Sequence, residues 1–262
     1  MENRPLIMGI LNLTPDSFSD GGEYLDEKSA IKRALQMEKE GADFIDIGAE
    51  STGPKSKNVS AKEELKRLIP ILKILRKKTK LPISIDTYKS EVAKEALEEG
   101  ADMINDVTAL RADPKLAKII AKYDCPVILM YSKDNTPRTT VKAKKYTNII
   151  KTISTFFTQR IKFAEKNGIK KENIIIDPGI GQFISSIPNY SFEIITRLRE
   201  FHNFDHPLLI GLSRKSFLGG KNMAERDLKA RPLSAIAYLN GASIIRTHDV
   251  RGLKEFFSKL HS

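Results

Sequence analysis

Three glycine-alanine pairs, Gly41-Ala42, Gly100-Ala101 and Gly241-Ala242, each stand between a helix-like stretch and a short β-rich run. Glycine just past a helix end takes the left-handed cap that a side chain would strain to adopt, so each pair marks a helix-to-strand turn. The first two pairs lie 59 residues apart, which fits two βα units of roughly 30 residues each. The β-rich runs are 6–12, 44–48, 83–86, 103–106, 127–130, 174–177, 208–212 and 243–246. Amphipathic stretches separate them. One carries Leu65, Leu68, Ile69, Leu72 and Leu75 on a single face, a second Val92, Ala93, Ala96 and Leu97, and the last Leu253, Phe256, Phe257 and Leu260. Eight strands and eight helices in strict alternation predict a (β/α)8 TIM barrel spanning residues 1–262 as a single domain. An open doubly wound sheet is the alternative. It concentrates its site at one switch point, whereas polar residues here gather at strand ends all round the series.

With 40% apolar and 29% charged residues, the chain has enough apolar side chains for a sizeable core. Its purely apolar runs, such as Ile174-Ile175-Ile176, fall far short of the ~20 residues needed to cross a bilayer. No basic n-region and apolar h-region open the sequence, which points to a cytoplasmic protein. The single cysteine, Cys125, excludes an internal disulfide or a cysteine-clustered zinc site, and reads as a buried thiol at the start of a strand. A net charge of +11 favours anionic partners. The basic runs 73–80 and 142–145 carry no interleaved aromatics and no nucleic-acid signature, so they read as a solvated rim suited to small anionic substrates.

The strand ends carry Asn12, Asp46, Asp86, Asn105 with Asp106, Asp177, Ser213 to Lys215, and Arg246 with His248. A lone strand-end Asp caps the next helix. Seven strands ending in polar groups, closed into a barrel, converge on one mouth. The set contains no His-x-His pair, no phosphate loop, no complete Gly-x-Gly-x-x-Gly and no Gly-x-Ser-x-Gly elbow, which weighs against zinc hydrolysis, nucleotide folds and a serine triad. Of the histidines only His248 ends a strand; His202, His206 and His261 read as surface residues.

The stretch from Met8 to Gly22, Met-Gly-Ile-Leu-Asn-Leu-Thr-Pro-Asp-Ser-Phe-Ser-Asp-Gly-Gly, resembles the first signature of the dihydropteroate synthase family. Asp46 to Thr52 resembles the second. Ile85-Asp86-Thr87, Ile104 to Val107, Asp177-Pro178-Gly179, Ser213 to Ser216 and Arg246 to Val250 then match in order, so the likeness covers essentially the whole chain. The resemblance implies a (β/α)8 transferase of folate biosynthesis, condensing 6-hydroxymethyl-7,8-dihydropterin diphosphate with 4-aminobenzoate and releasing diphosphate. It implies Asp177 as the carboxylate that takes the forked donors of the pterin, with Asn105 on the rest of the ring and Lys215 donating to its carbonyl. Asp86 is similar to the family carboxylate beside the reacting carbon, and Asp86 and Lys215 are the expected catalytic pair. Asn12 would hold Mg²⁺, and Arg246 and His248 would share in neutralising the diphosphate. Thr52, Ser213, Phe18 and Pro54 would line the second substrate's side, and Met130 counts among the substrate-binding residues. The resemblance further implies a homodimer through outer helices, for which Ile236, Tyr238 and Leu239 are candidates.

Departures from the family pattern cluster on that second side. Gly53 stands where an arginine is usual, Gln182-Phe183-Ile184 where Phe-Gly-Lys is usual, and Met130-Tyr131-Ser132 where Met-His is common. They leave open a paralogue that takes a different amine or binds pterin without turnover. A pterin-dependent methyltransferase would share the barrel but has no need of the first and sixth motifs. If another cation replaces the one missing at Gly53, the candidates are Lys55, Lys133 and Arg138, and Arg138 is preferred because guanidinium binds phosphate or carboxylate bidentately.

Overall fold

In the computed structural model, which describes residues 4–13, 22–54 and 56–260, every expected β-rich run contributes a strand to one parallel sheet. The strands are β1 (Leu6–Asn12), β2 (Phe44–Gly48), β3 (Ile83–Asp86), β4 (Met103–Asp106), β5 (Val127–Met130), β6 (Ile174–Asp177), β7 (Leu209–Ile210) and β8 (Ile244–Thr247). Between and after them run α1 (Gly22–Lys39), α2 (Ala61–Lys78), α3 (Ser90–Glu98), α4 (Leu116–Tyr123), α5 (Ile149–Lys166), α6 (Pro188–Thr196), α7 (Met223–Leu239) and α8 (Val250–Leu260). Hydrogen bonding runs β6-β5-β4-β3-β2-β1-β8-β7, and a parallel bridge between Ile176 and Leu208 brings β7 back against β6. The result is the nearly closed (β/α)8 barrel that the alternation predicts.

β7 is shorter than the 208–212 run expected, and β8 sits one residue later than 243–246. Both shifts have one cause. The Leu208 carbonyl accepts from Ser243 N at 2.8 Å and Ile244 N at 3.0 Å, while Gly211 leaves the ladder for the barrel mouth. The three Gly-Ala junctions are the expected caps: Gly41, Gly100 and Gly241 have φ of +94°, +95° and +100°. Side chains of Ser60, Asn148 and Asn222 cap the starts of α2, α5 and α7 by accepting the third-residue amide.

Two packed layers hold this together. Outside the sheet, Leu68, Leu72 and Leu75 of α2, Val92 and Ala96 of α3 and Leu253 and Phe257 of α8 bury the faces read from their spacing. Inside it, Met8, Met103, Ile128, Ile175, Leu209 and Ile244, from six strands, form a separate apolar cluster. Strand side chains alternate faces, so the residues two positions on from this cluster also point inward, one layer nearer the strands' C-terminal ends.

Cys125 is buried, and burial pushes its thiol up to about 11. His206, expected on the surface, is only 8% exposed: it leads into β7 beneath the barrel, where its ring hydrogen-bonds the Lys171 backbone. His202 is exposed as expected, and His261 lies outside the described residues. No described helix is long and apolar enough to cross a membrane.

Candidate active site

Counting two residues beyond the apolar layer gives most of the expected site residues directly. Met8 leads through Ile10 to Asn12, Met103 to Asn105, Ile128 to Met130, Ile175 to Asp177 and Ile244 to Arg246. All of these second residues line one cavity of about 250 Å³ at the C-terminal end of the barrel. Thr52, Asp86, Lys215 and His248 line it too, so among the described residues the structure brings together every expected site residue except Ser213 and Pro54. Ser213 stands behind His248, 6% exposed. Expectations on Phe18 and Lys55 lie outside the described residues.

Arg246 organises the floor. Its Nε donates to Asp46 Oδ2 at 2.6 Å and its Nη2 to Asp86 Oδ2 at 2.8 Å, while Asp249, its conceivable alternative partner, is held by Arg231 at 2.7 Å. Asp46 also accepts from Asn105 Nδ2 at 3.1 Å, which spends one amide hydrogen and fixes the orientation of the Asn105 amide. Asp46 is fully buried and is the supporting residue that the strand-end pattern singled out without assigning a role.

The electrostatics follow from burial. Desolvation pushes Asp86 up to about 7, against the pull of Arg246 and with help from Asp46, Glu64 and Asp106. Asp177 rises to about 6 for the same reason, restrained by the hydrogen bond from Gly179 N at 2.8 Å and by Lys215 and Arg246. Lys215 falls to about 8 through burial and the neighbouring Arg246, despite Asp177 and Asp86. His248 is pushed down to about 2 by burial and then by Arg214, Arg246, Lys215 and Arg33. Its ring is therefore neutral. In this structure it contributes hydrogen bonds rather than positive charge.

A hydrogen-bond count settles how that neutral ring acts. Ser213 Oγ donates its one hydrogen to Asp227 Oδ1 at 2.8 Å, so His248 Nδ1, 3.0 Å away, must be the donor to Ser213. His248 Nε2 then accepts from Asn12 Nδ2 at 3.3 Å. Asn12 is left with its amide oxygen turned to the site. A Cβ placed on Gly48 would lie 3.8 Å from that oxygen and 3.7 Å from Asp86 Oδ2, so the glycine keeps open a space that two oxygens face.

The other wall is built by loops. Glu50, Ser51, Thr52 and Gly53 follow β2, and Ile180 and Phe183 follow β6, with Lys215 Nζ 5.0 Å from the Phe183 ring centroid. Of these, Glu50 is the charged residue the strand-end pattern did not pick, because it sits two residues past β2. Arg138 does not reach the cavity: its Nη2 engages Glu50 Oε1 and the Lys57 carbonyl. Lys133 is no free cation either. Its side chain is 2% exposed and is spent on Asp134, Thr139 Oγ1 and the carbonyls of Thr140 and Gln182.

Comparison with known proteins places this arrangement. The pterin binding enzyme family profile matches residues 8–248. The dihydropteroate synthase of Synechocystis sp. is 41% identical over 257 residues, covering 96% of this chain and 88% of that protein. That of Escherichia coli is 41% identical over 252 residues, covering 95% and 88%. Among solved structures, Xanthomonas albilineans dihydropteroate synthase with 4-aminobenzoic acid superposes with a TM-score of 0.91 at 36% identity, over 99% of this chain and 93% of that one. The Clostridium difficile dihydropteroate synthase, solved in the presence of pteroic acid, also gives 0.91 at 39% identity, over 98% and 96%. The chain belongs to the pterin binding enzyme family, among the dihydropteroate synthases.

Proposed function

We propose that this cavity condenses 6-hydroxymethyl-7,8-dihydropterin diphosphate with 4-aminobenzoate, the transferase step that makes dihydropteroate for folate. The observation that carries the reading is the convergence of Asp86, Asp177, Lys215 and Arg246 on one cavity above an apolar barrel layer. The ligands of the related structures, 4-aminobenzoic acid and pteroic acid, support it.

Each side chain has a distinct task. Asp177 accepts the amino and ring N–H donors of the pterin, Lys215 donates to its carbonyl, and Asn105 and Met130 complete the pocket floor. The diphosphate faces Arg246 and Asn12, with His248 holding the Asn12 amide so that its oxygen points forward. The amine nitrogen attacks the exocyclic methylene carbon, the carbon–oxygen bond breaks towards diphosphate, and the nitrogen sheds its proton to water. Positive charge that grows on the carbon meets the Asp86 carboxylate, already aimed by Arg246. Thr52, Ser51 and Phe183 form the wall against which the second substrate lies.

Mg²⁺ suits the donor set, because a hard ion prefers oxygen and takes one or two protein ligands beside phosphate oxygens. Asn12 would hold it through the amide oxygen over Gly48, near Asp86. An ion held there would supply positive charge against the departing diphosphate. We read the assembly as a homodimer, on the strength of the exposed Met223, Leu228, Ile236 and Leu239 along α7, at 61%, 56%, 39% and 70%. The free, inert Cys125 thiol suits a reducing cytoplasm.

The test is diphosphate release from the pterin substrate with and without 4-aminobenzoate. Release that depends on the amine is expected. Release indifferent to it, or none while pterin still binds, overturns the reading.

A further inference from the structure

Glu50 and Glu64 are both buried carboxylates, their side chains 3% and 1% exposed. One ammonium lies between them: Lys89 Nζ is 2.5 Å from Glu50 Oε2 and 2.5 Å from Glu64 Oε2, and donates also to the Val59 carbonyl at 2.7 Å. Two buried negative charges against one positive leave a surplus. The second cation comes from a different loop, where Arg138 Nη2 engages Glu50 Oε1. Only with Arg138 does the tetrad balance, and a buried carboxylate left without its partner is strongly unfavourable.

That surplus would fall on the active-site wall. Glu50 lines the cavity beside Ser51, Thr52 and Gly53, and Gly53 brings no charge of its own. Arg138 also donates to the Lys57 carbonyl at 2.9 Å, and the next residue, Thr139, donates its N–H to the Thr52 carbonyl at 3.1 Å. Val59 N closes the loop onto Glu50 Oε1 at 3.2 Å. The loop after β2 is thus folded round Glu50 and clasped from the loop after β5.

We propose that Arg138 is a positioning residue that acts through Glu50: it neutralises that carboxylate and fixes the loop after β2, so that this wall accepts the anionic second substrate. The proposal rests on the function read above, since the pterin occupies the floor and leaves the carboxylate of 4-aminobenzoate to the loop side.

Diphosphate release measured over a range of both substrates, with Mg²⁺ present, decides it. Arg138→Met is expected to raise KM for 4-aminobenzoate by about tenfold while KM for the pterin diphosphate stays within about twofold. Arg138→Lys should keep most of the parent behaviour, and Glu50→Gln in the Arg138→Met background should bring KM for the amine back to within about threefold of the parent. An unchanged KM in Arg138→Met, or no recovery on adding Glu50→Gln, overturns the proposal. Urea unfolding of the parent, Arg138→Met, Glu50→Gln and the double variant reads the charge pair independently of turnover, so a parent that releases no diphosphate would sink the functional reading alone. Strictly additive losses in that unfolding cycle would overturn the proposal.

Discussion

Asp177 shows how one carboxylate is divided between scaffold and site. Its Oδ1 is fixed by Gly179 N, and the group faces a cavity in which Asn105 and Lys215 supply complementary donors and acceptors. An amide of the same shape would meet one pterin donor with a donor. Asp177→Asn should therefore cost roughly 2 to 4 kcal/mol of pterin binding, and calorimetry showing a change below about threefold would remove Asp177 from the pocket. The shifted groups also make a pH signature. In the proposed mechanism Asp86 and Asp177 act ionised, and burial pushes them up to about 7 and about 6, so kcat/KM should fall as pH drops through that range. The same mechanism uses Lys215 protonated, and burial pushes it down to about 8, so kcat/KM should fall again above it. In Lys215→Arg the alkaline limb should move out of range while the acid limb stays; an unmoved alkaline limb excludes Lys215 as its source. Asn12 makes a parallel claim for the metal, and undiminished release in excess chelator would dismiss it.

The turns that follow the strands are as specific as the strands themselves. After β6 the chain turns at Gly179 with φ +69°, and a Cβ there would lie 2.4 Å from the Tyr131 carbonyl oxygen. Both the conformation and the close approach demand glycine. Gly179→Ala should destabilise the protein by about 1–3 kcal/mol and displace the amide that restrains Asp177. Calorimetric unfolding should show a Tm lowered by a few degrees together with weaker pterin binding, and a variant normal in both would refute the account. The loop after β4 solves the same problem without glycine. Ala109 and Leu110 have φ of +51° and +64°, held by Asp106, which accepts from Thr108 N at 2.7 Å and Leu110 N at 2.6 Å.

Barrel closure and assembly depend on the later part of the chain. β7 contributes two residues, and its contact with β6 is the Ile176 to Leu208 bridge with Ile176 N donating to the Pro207 carbonyl at 3.0 Å. α6, α7 and α8 pack in sequence outside this seam, and α7 leaves Leu228, Ile236 and Leu239 on its outer face. Tyr238, the third candidate for an interface, instead packs edge-on against Phe257 of α8, with ring centroids 5.6 Å apart. If α7 pairs with a second copy, Leu239→Glu should shift sedimentation from dimer to monomer while leaving pterin affinity unchanged. A parent chain that sediments as a monomer would end that reading.

The barrel was legible in the chain because its two signals are local properties: the 3.6-residue period on the faces of α2, α3 and α8, and a glycine at each of three helix-to-strand junctions. The inward column of site residues was legible for a similar reason, since β-strands alternate and the polar residues stand at strand ends. What local pattern could not supply was which charges meet. Asp46 and Asp86 share Arg246 across 200 and 160 residues of sequence separation. Glu50 and Arg138 are 88 apart, and His248 reaches Ser213 across 35 residues and Asn12 across 236. His206 looked like a surface residue because nothing in its neighbours announces the turn that buries it. The alternation of strands and helices therefore set the fold and most of the cavity lining. Tertiary contact alone decided that His248 is neutral, that Ser213 stands behind it, and that Arg138 acts on Glu50 rather than on a substrate, because pairing and desolvation are properties of what the folded chain brings together.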